Sequence, residues 1–242
     1  MYRIAVITDI HGNRHALNAV LEDIKGRGVD HIYCLGDMIG IGPFSNEVLD
    51  ALMELDHVSM ITGNHDEAVL ALLKNEPYPE SRVNVIPHHE WIANRLEQHC
   101  KAQLDILPRV INHTIYGHKL HFTHYPMDQA AYHAPISMDP FDLQGPPSRE
   151  NFSSLSRLSE CSLVCFGHDH GRHHLTCNNQ TFFNPGSLGC FNKPYARYGI
   201  IDVMPTEITI HQQAVAYKFD EFVSELKQSS MPRKEIILNI YI

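Results

Sequence analysis

The chain has 242 residues, 43% of them hydrophobic, which is ample for one sizeable core and gives no compositional break that forces a second domain. Its formal charge of −9, from 19 basic against 28 acidic residues, argues against a broad binding surface for nucleic-acid phosphates. No run approaches the roughly 18 apolar residues of a membrane span, and Met1 leads straight into YRIAVIT without a secretory-signal pattern, so a cytoplasmic protein is expected.

Residues 2–8 (YRIAVIT) are apolar and β-branched, short enough for a buried strand, and stop at the polar loop DIHGNRH. Leu17, Val20, Leu21 and Ile24 then recur at helical spacing before Gly26 and Gly28 end the run. HIYCL is the next strand, followed by the loop GDMIGIGP; Ser45 or Asn46 is expected to cap a helix through Leu55, and VSMIT is a third strand running into GNHD. Strand, loop and helix repeated in this way predict an α/β sheet, whose ligands collect at the carboxyl ends of the strands.

From Glu67 to Gln103 the periodicity is helical, interrupted around Pro77 and Pro79, with Trp91 on an apolar stripe with Ile92 and Leu96. RVINHTIY, Gly117 and KLHFTH form a predicted hairpin that opens the second half of the sheet. Residues 125–150 hold five of the chain's 14 prolines and little periodicity; a long loop directly after a candidate ligand is expected to form a wall on the substrate side. A short helix from Asn151, the strands SLVCFG, HHLTC, TFFNPGS, YGIIDV and EITIHQ, and a late helix KFDEFVSELK complete one domain over 1–242, with a helical and loop decoration around 74–157. The six cysteines include no CxxC pair and read as buried free thiols.

Seven side chains suited to hard or borderline metals stand at the ends of these apolar runs, in five blocks: Asp9 and His11 in TDIHG, Asp37 in LGDM, Asn64 in TGNHD, His124 in FTHY, and His168 with His170 in FGHDH. Each block alone is weak, since a lone histidine is more often a structural residue than a ligand. Together, in this order, they resemble the calcineurin-like metallophosphoesterases. DIHGN, LGD followed by GIGP at Gly40–Pro43, GNHD and NPGSLG at Asn184–Gly189 extend the resemblance to the compact bacterial and archaeal branch, over most of residues 1–203.

The resemblance implies a four-layer sandwich of two mixed sheets flanked by helices. It also implies a dinuclear centre in which Asp37 bridges, Asp9, His11 and His170 complete one site, and Asn64, His124 and His168 complete the other. Imidazole with carboxylate and amide oxygens suits Mn, Fe, Zn or Co without separating them, and Mn²⁺ is the expected ion. Two such ions lower the pKa of a water, neutralise phosphoryl oxygens and align an ester for in-line attack. In the family the histidine of GNH contacts the phosphate and serves the leaving oxygen, which makes His65 the expected proton carrier; Asp66 either orients it or serves the loop backbone. Asn13 and Arg14, in the first loop, are candidate phosphate contacts, with a solvated helix-start arginine as the competing reading of Arg14. The thirteen remaining histidines, including the pairs His88–His89 and His173–His174, are read as structural or surface residues.

The expected function is hydrolysis of small soluble phosphoesters, phosphodiesters or nucleotides, with dinucleoside polyphosphates a specific candidate. No arginine follows closely on Asp37 and the third block ends in Asp rather than Glu, which places a serine/threonine protein phosphatase second. A non-catalytic scaffold of the same fold predicts eroded ligands, which the chain does not show. A helical HD-type hydrolase is excluded by the strand before His65, and neither a GxSxG elbow nor a DxD nucleophile is present. Oligomeric state has no signature in the sequence.

Overall fold

Ile4 and Val6 of the first strand enter one core and Ala5 and Ile7 another, the alternation of a strand buried on both faces. The structure is a computed structural model, described over residues 1–155, 158–177 and 179–242. One sheet runs in the order β10 (Ile208–Ala216), β9 (Tyr195–Val203), β1 (Tyr2–Ile7), β2 (His31–Cys34) and β3 (Val58–Met60), with β1, β2 and β3 parallel and β9 and β10 antiparallel. The second runs β4 (Val110–Ile115), β5 (His118–Thr123), β6 (Leu163–Cys165), β8 (Gln180–Pro185) and β7 (Arg172–Cys177). Here β5, β6 and β8 are parallel, and β4 and β7 pair antiparallel at the edges.

Ile4, Val6, Leu35 and Ile201 of the first sheet meet Leu120, Phe122, Cys165 and Phe183 of the second between the two sheets, where Tyr33 stacks on Phe122 at 3.7 Å between ring centroids. On the outer face of the first sheet pack α1 (Arg14–Lys25), α2 (Ser45–Met53), α3 (Asn64–Lys74), α4 (Ile86–Ala93) and α5 (Gln98–Asp105). On the outer face of the second lies the 125–155 segment, whose Tyr125, Phe141 and Phe152 cover Val164, Phe166 and Phe182; α6 (Arg149–Ser153) is its one α-helix. These are the four layers expected. The hairpin of β4 and β5, inside the 74–157 span read as decoration, is an integral part of the second sheet.

Two local expectations are corrected. Ser45 does not cap α2: Phe44 occupies the cap position, Ser45 is buried inside the first turn with its hydroxyl unpaired, and Asn46 instead binds Arg95 and Glu97 across to the next element. Past the late helix α7 (Phe219–Gln228) the chain forms a further short helix, α8 (Lys234–Leu238), which buries Ile237 and Tyr241 against Ile41 and Cys190; no periodic signal announced it. Among the described residues no helix is long and apolar enough to cross a membrane. All six cysteines are free.

Candidate metal centre

Five parallel strands, three from one sheet and two from the other, point their carboxyl ends at one edge of the sandwich. β1 delivers Asp9 and His11, β2 delivers Asp37, β3 delivers Asn64 as the first residue of α3, β5 delivers His124, and β6 delivers His168 and His170. Asp9, His11, Asp37 and His124 are essentially without solvent exposure. The seven side chains predicted from the sequence thus come together in one place.

The first group holds Asp9, His11 and His170. His11 Nε2 lies 2.8 Å from His170 Nε2 and 3.8 Å from Asp9 Oδ1, and His170 Nε2 is 3.5 Å from the same oxygen. The second group holds Asn64, His124 and His168, with Asn64 Oδ1 at 3.1 Å from His124 Nε2 and 2.8 Å from His168 Nδ1. Asp37 stands between them: its Oδ2 is 3.8 Å from His11 Nε2 and 3.4 Å from His124 Nε2, while its Oδ1 accepts the His65 amide at 2.8 Å. It is the carboxylate placed to bridge.

The outer nitrogens of three of the four imidazoles are held by partners. His11 Nδ1 faces the Ile39 carbonyl (3.2 Å) and His124 Nδ1 the Leu35 carbonyl (2.7 Å), acceptors that require N–H at those positions. His168 Nε2 meets the Asp142 carboxylate at 3.0 Å. The inward nitrogens of these three rings are therefore the ones offered to a cation, the arrangement in which outer partners fix a ligating histidine. Imidazole nitrogens, two carboxylates and an amide converging in a largely buried cluster free of sulfur are a donor set that fits divalent cations. Burial holds His11 down at about 4, against the pull of Asp37. Burial also acts on His124, but Asp37 beside it prevails and raises it to about 9.

Five of the seven, Asp9, His11, Asp37, His168 and His170, have φ between 49° and 73°. Left-handed backbone is unfavourable for side chains other than glycine, by about 1 kcal/mol each. The loops are braced accordingly. Ser187 Oγ donates to the Asp9 carbonyl, Asn184 Nδ2 to the Gly167 carbonyl, and the Leu188 and Gly189 amides to Thr8 and Asp9. Arg197 donates to the His170 carbonyl at 2.8 Å. The NPGSLG text is a turn, with Gly186 at φ 85°, and also the strut between the first and last ligand loops.

His65 sits over Asp37, its ring centroid 5.1 Å from that of His11. Its Nδ1 pairs with His89 Nε2 at 3.0 Å, and His89 Nδ1 with the Tyr78 hydroxyl at 2.8 Å. Tyr78 donates onward to the Arg82 carbonyl (3.3 Å), so it accepts from His89 Nδ1–H, His89 Nε2 is bare, and His65 Nδ1 carries the proton. That leaves His65 Nε2 free for chemistry. Burial, with Asp37 opposing it, holds His65 well below the usual imidazole range. Gly40, at φ 106°, admits this ring: a Cβ there would collide with the His65 side chain.

Other expected roles change. Asp66 does not touch the His65 ring; its carboxylate accepts the Gly63, Ile39 and Met38 amides at 2.9, 3.1 and 3.4 Å, tying the second and third ligand loops together. Burial, with Asp37 nearby, pushes it up to about 8. Asn13 is a helix cap: its oxygen accepts the Ala16 amide and its nitrogen donates to the Gly189 carbonyl and Tyr217, which leaves nothing for a phosphate. Arg14 pairs with Glu225 (2.9 Å) and Glu47 (3.4 Å) and lies on the Phe44 ring, turned to carboxylates. His88 and His89, read as surface residues, are both buried, whereas His173 is half-buried on Asp169 and His174 exposed. Tyr78 and Arg82, absent from the sequence reading, and His89 lie at the site. A cavity of about 280 Å³ beside His168 is walled by Tyr125, Phe141, Asp142, Gly145 and Pro146, from the proline-rich loop.

The profile of the calcineurin-like phosphoesterase superfamily domain matches residues 2–205. An uncharacterised protein of Methanocaldococcus jannaschii is 40% identical over 121 residues, 50% of this chain and 48% of that protein. A symmetrical bis(5'-nucleosyl)-tetraphosphatase of Cronobacter sakazakii is 33% identical over 107 residues, 41% of this chain and 38% of its own length. The chain thus aligns with less than half the length of these relatives. Among solved structures, a hypothetical protein of Pyrococcus horikoshii superposes with a TM-score of 0.79 at 20% identity, covering 100% of this chain and 98% of the other, which extends the likeness of fold through α8.

Proposed function

Since the chain belongs to the calcineurin-like phosphoesterase superfamily, we propose that it is a two-metal hydrolase of small soluble phosphoesters, favouring phosphodiesters or nucleotides over phosphoproteins. The observation that carries this reading is the convergence of Asp9, His11, Asp37, Asn64, His124, His168 and His170 on one point, each imidazole but His170 oriented by an outer partner. Mn²⁺ is the proposed ion. When bound, two such cations supply a nucleophilic water at neutral pH and charge neutralisation for the phosphoryl group.

The protein's own residues supply the rest. Asp37 links the two groups and fixes the start of α3 through the His65 amide. His65 presents Nε2 to the ester; an arriving phosphate anion favours its protonated form, and the proton goes to the leaving oxygen. His89 and Tyr78 keep the ring from turning. The cavity beside His168 is the pocket for an organic part of the ester, and its aromatic and proline walls suit a nucleoside better than a protein side chain on an extended chain. Dinucleoside polyphosphates are the first substrate to try, because the Cronobacter relative is named for that activity.

The test is a panel of monoesters, phosphodiesters, cyclic nucleotides and dinucleoside polyphosphates assayed with protein loaded in turn with Mn²⁺, Fe²⁺, Co²⁺ and Zn²⁺, with bound metal measured directly. Two ions per chain and turnover greatest on a diester or nucleotide are expected. Bound metal with no turnover on any ester would favour the scaffold reading, and turnover on phosphoproteins alone would favour the protein phosphatase.

A further inference from the structure

No arginine follows Asp37 closely, and Arg14, beside the first ligand loop, is held by Glu225 and Glu47. Arg82 lies on the 3₁₀ turn Glu80–Val85 with its side chain 26% exposed. It forms a loose ion pair with Asp142, whose Oδ2 is 3.8 Å from Nη2 and beyond hydrogen-bond reach, while Oδ1 of the same carboxylate meets His168. Its Nη2 lies 2.9 Å from the outward atom of the Asn64 side-chain amide. Other arginines around the ligand loops are committed: Arg197 to the His170 and Ser187 carbonyls, Arg172 to the Pro185 and Gln213 carbonyls, Arg109 to Glu67.

The Asn64 amide has two ways to face. With oxygen outward it accepts from Arg82 Nη2 and from the His65 amide at 3.3 Å, while its nitrogen donates to His168 Nδ1 and His124 Nε2. With oxygen inward it joins those imidazole nitrogens as a third ligand atom and turns its NH₂ towards the guanidinium, donor against donor. One amide cannot ligate a cation and accept from Arg82 at once. We propose that Arg82 is the phosphate-binding residue of the site, displaced from Asn64 when that amide turns its oxygen to a metal and taken up by a phosphoryl oxygen of the substrate. The planar guanidinium fork suits two such oxygens. The proposal rests on the two-metal reading above, and it deepens it by assigning ester recognition to the segment between α3 and α4.

Inorganic phosphate binding is measured by titration calorimetry on Mn²⁺-loaded wild type, R82A and R82K, with metal content determined for each. R82A is expected to keep its Mn²⁺ and bind phosphate about ten- to a hundredfold more weakly, the loss of a charge-assisted pair, with R82K in between. An R82A protein that binds phosphate like wild type with its metal intact overturns the role of Arg82 and leaves the two-metal reading standing. Loss of metal from R82A also overturns it, making Arg82 a support of the ligand loops. Wild type that holds neither metal nor phosphate overturns both.

Discussion

His65 Nδ1 rests on His89 Nε2 at 3.0 Å, so the proposed proton carrier is aimed by a second, fully buried imidazole rather than by a carboxylate. Replacing His65 with Ala should slow turnover of a poor-leaving-group ester by roughly 10² to 10⁴ fold while metal stays bound. His89→Phe keeps the volume and removes the acceptor: kcat should fall by about tenfold, with KM and metal content unmoved, and His89→Gln should recover part of it. A His89→Phe enzyme with unaltered kcat would show that packing alone orients His65.

Asp37 stands within 3.8 Å of His11 in one group and 3.4 Å of His124 in the other, through the same oxygen. Asp37→Asn should therefore lower metal content at both sites together, whereas His170→Ala, on the half-exposed rim of one group, should lower it at one. Metal analysis after dialysis separates the two outcomes; retention of two ions by Asp37→Asn would refute the bridge.

Gly40 stands against the His65 side chain at a φ of 106°. Gly40→Ala should push the ring out of register and cost roughly 10²-fold in kcat, the size expected from displacing a reacting group by about 1 Å. Its metal content should match wild type. Unchanged kcat would mean that the loop yields and the ring does not.

The pH dependence of stability should carry the signature of His88. It is buried with both ring nitrogens unpaired, and burial lowers it to about 4, with the Gly40, Ile41 and Pro232 carbonyls tempering the shift. A lowered imidazole pKa disfavours folding wherever the unfolded chain binds the proton first. Its stability contribution is thus full above about pH 6.5 and declines as pH falls towards 4. Between pH 7.5 and 5 this amounts to about 2 kcal/mol. In urea titrations of metal-free protein, His88→Leu should shrink the difference between those two pH values by that amount, and an equal difference in both proteins would discount His88.

The strands and ligands were legible in the sequence because each ligand ends an apolar run, so period and chemistry coincide within a few residues. Val58–Met60 and the GNHD that follows are one such passage. Arg82 and His89 had no such marker. They reach the centre from a 3₁₀ turn and a short helix, and His89 meets His65 across 24 residues of chain. Two adjacent histidines between Pro87 and Glu90 resemble a surface pair; packing of α4 against α3 and the Gly40 loop buries them. Arg14 misled for the opposite reason: its place beside the DIHGN loop is close in sequence, but Glu47 and Glu225, brought in by α2 and α7, decide where it points. Charge partners of that kind are set by tertiary structure alone.

The left-handed backbone at Asp9, His11, Asp37, His168 and His170 gives the fold an evolutionary bias. At each of these positions glycine relieves the strain and deletes the ligand in one step. A gene copy freed from the demand for turnover therefore meets, at the three histidines, mutations that relieve backbone strain and disable the site together, whereas at Asp9 and Asp37 glycine also removes hydrogen bonds to buried carboxylates. Intact ligands at all five positions are what continued selection for chemistry would leave behind.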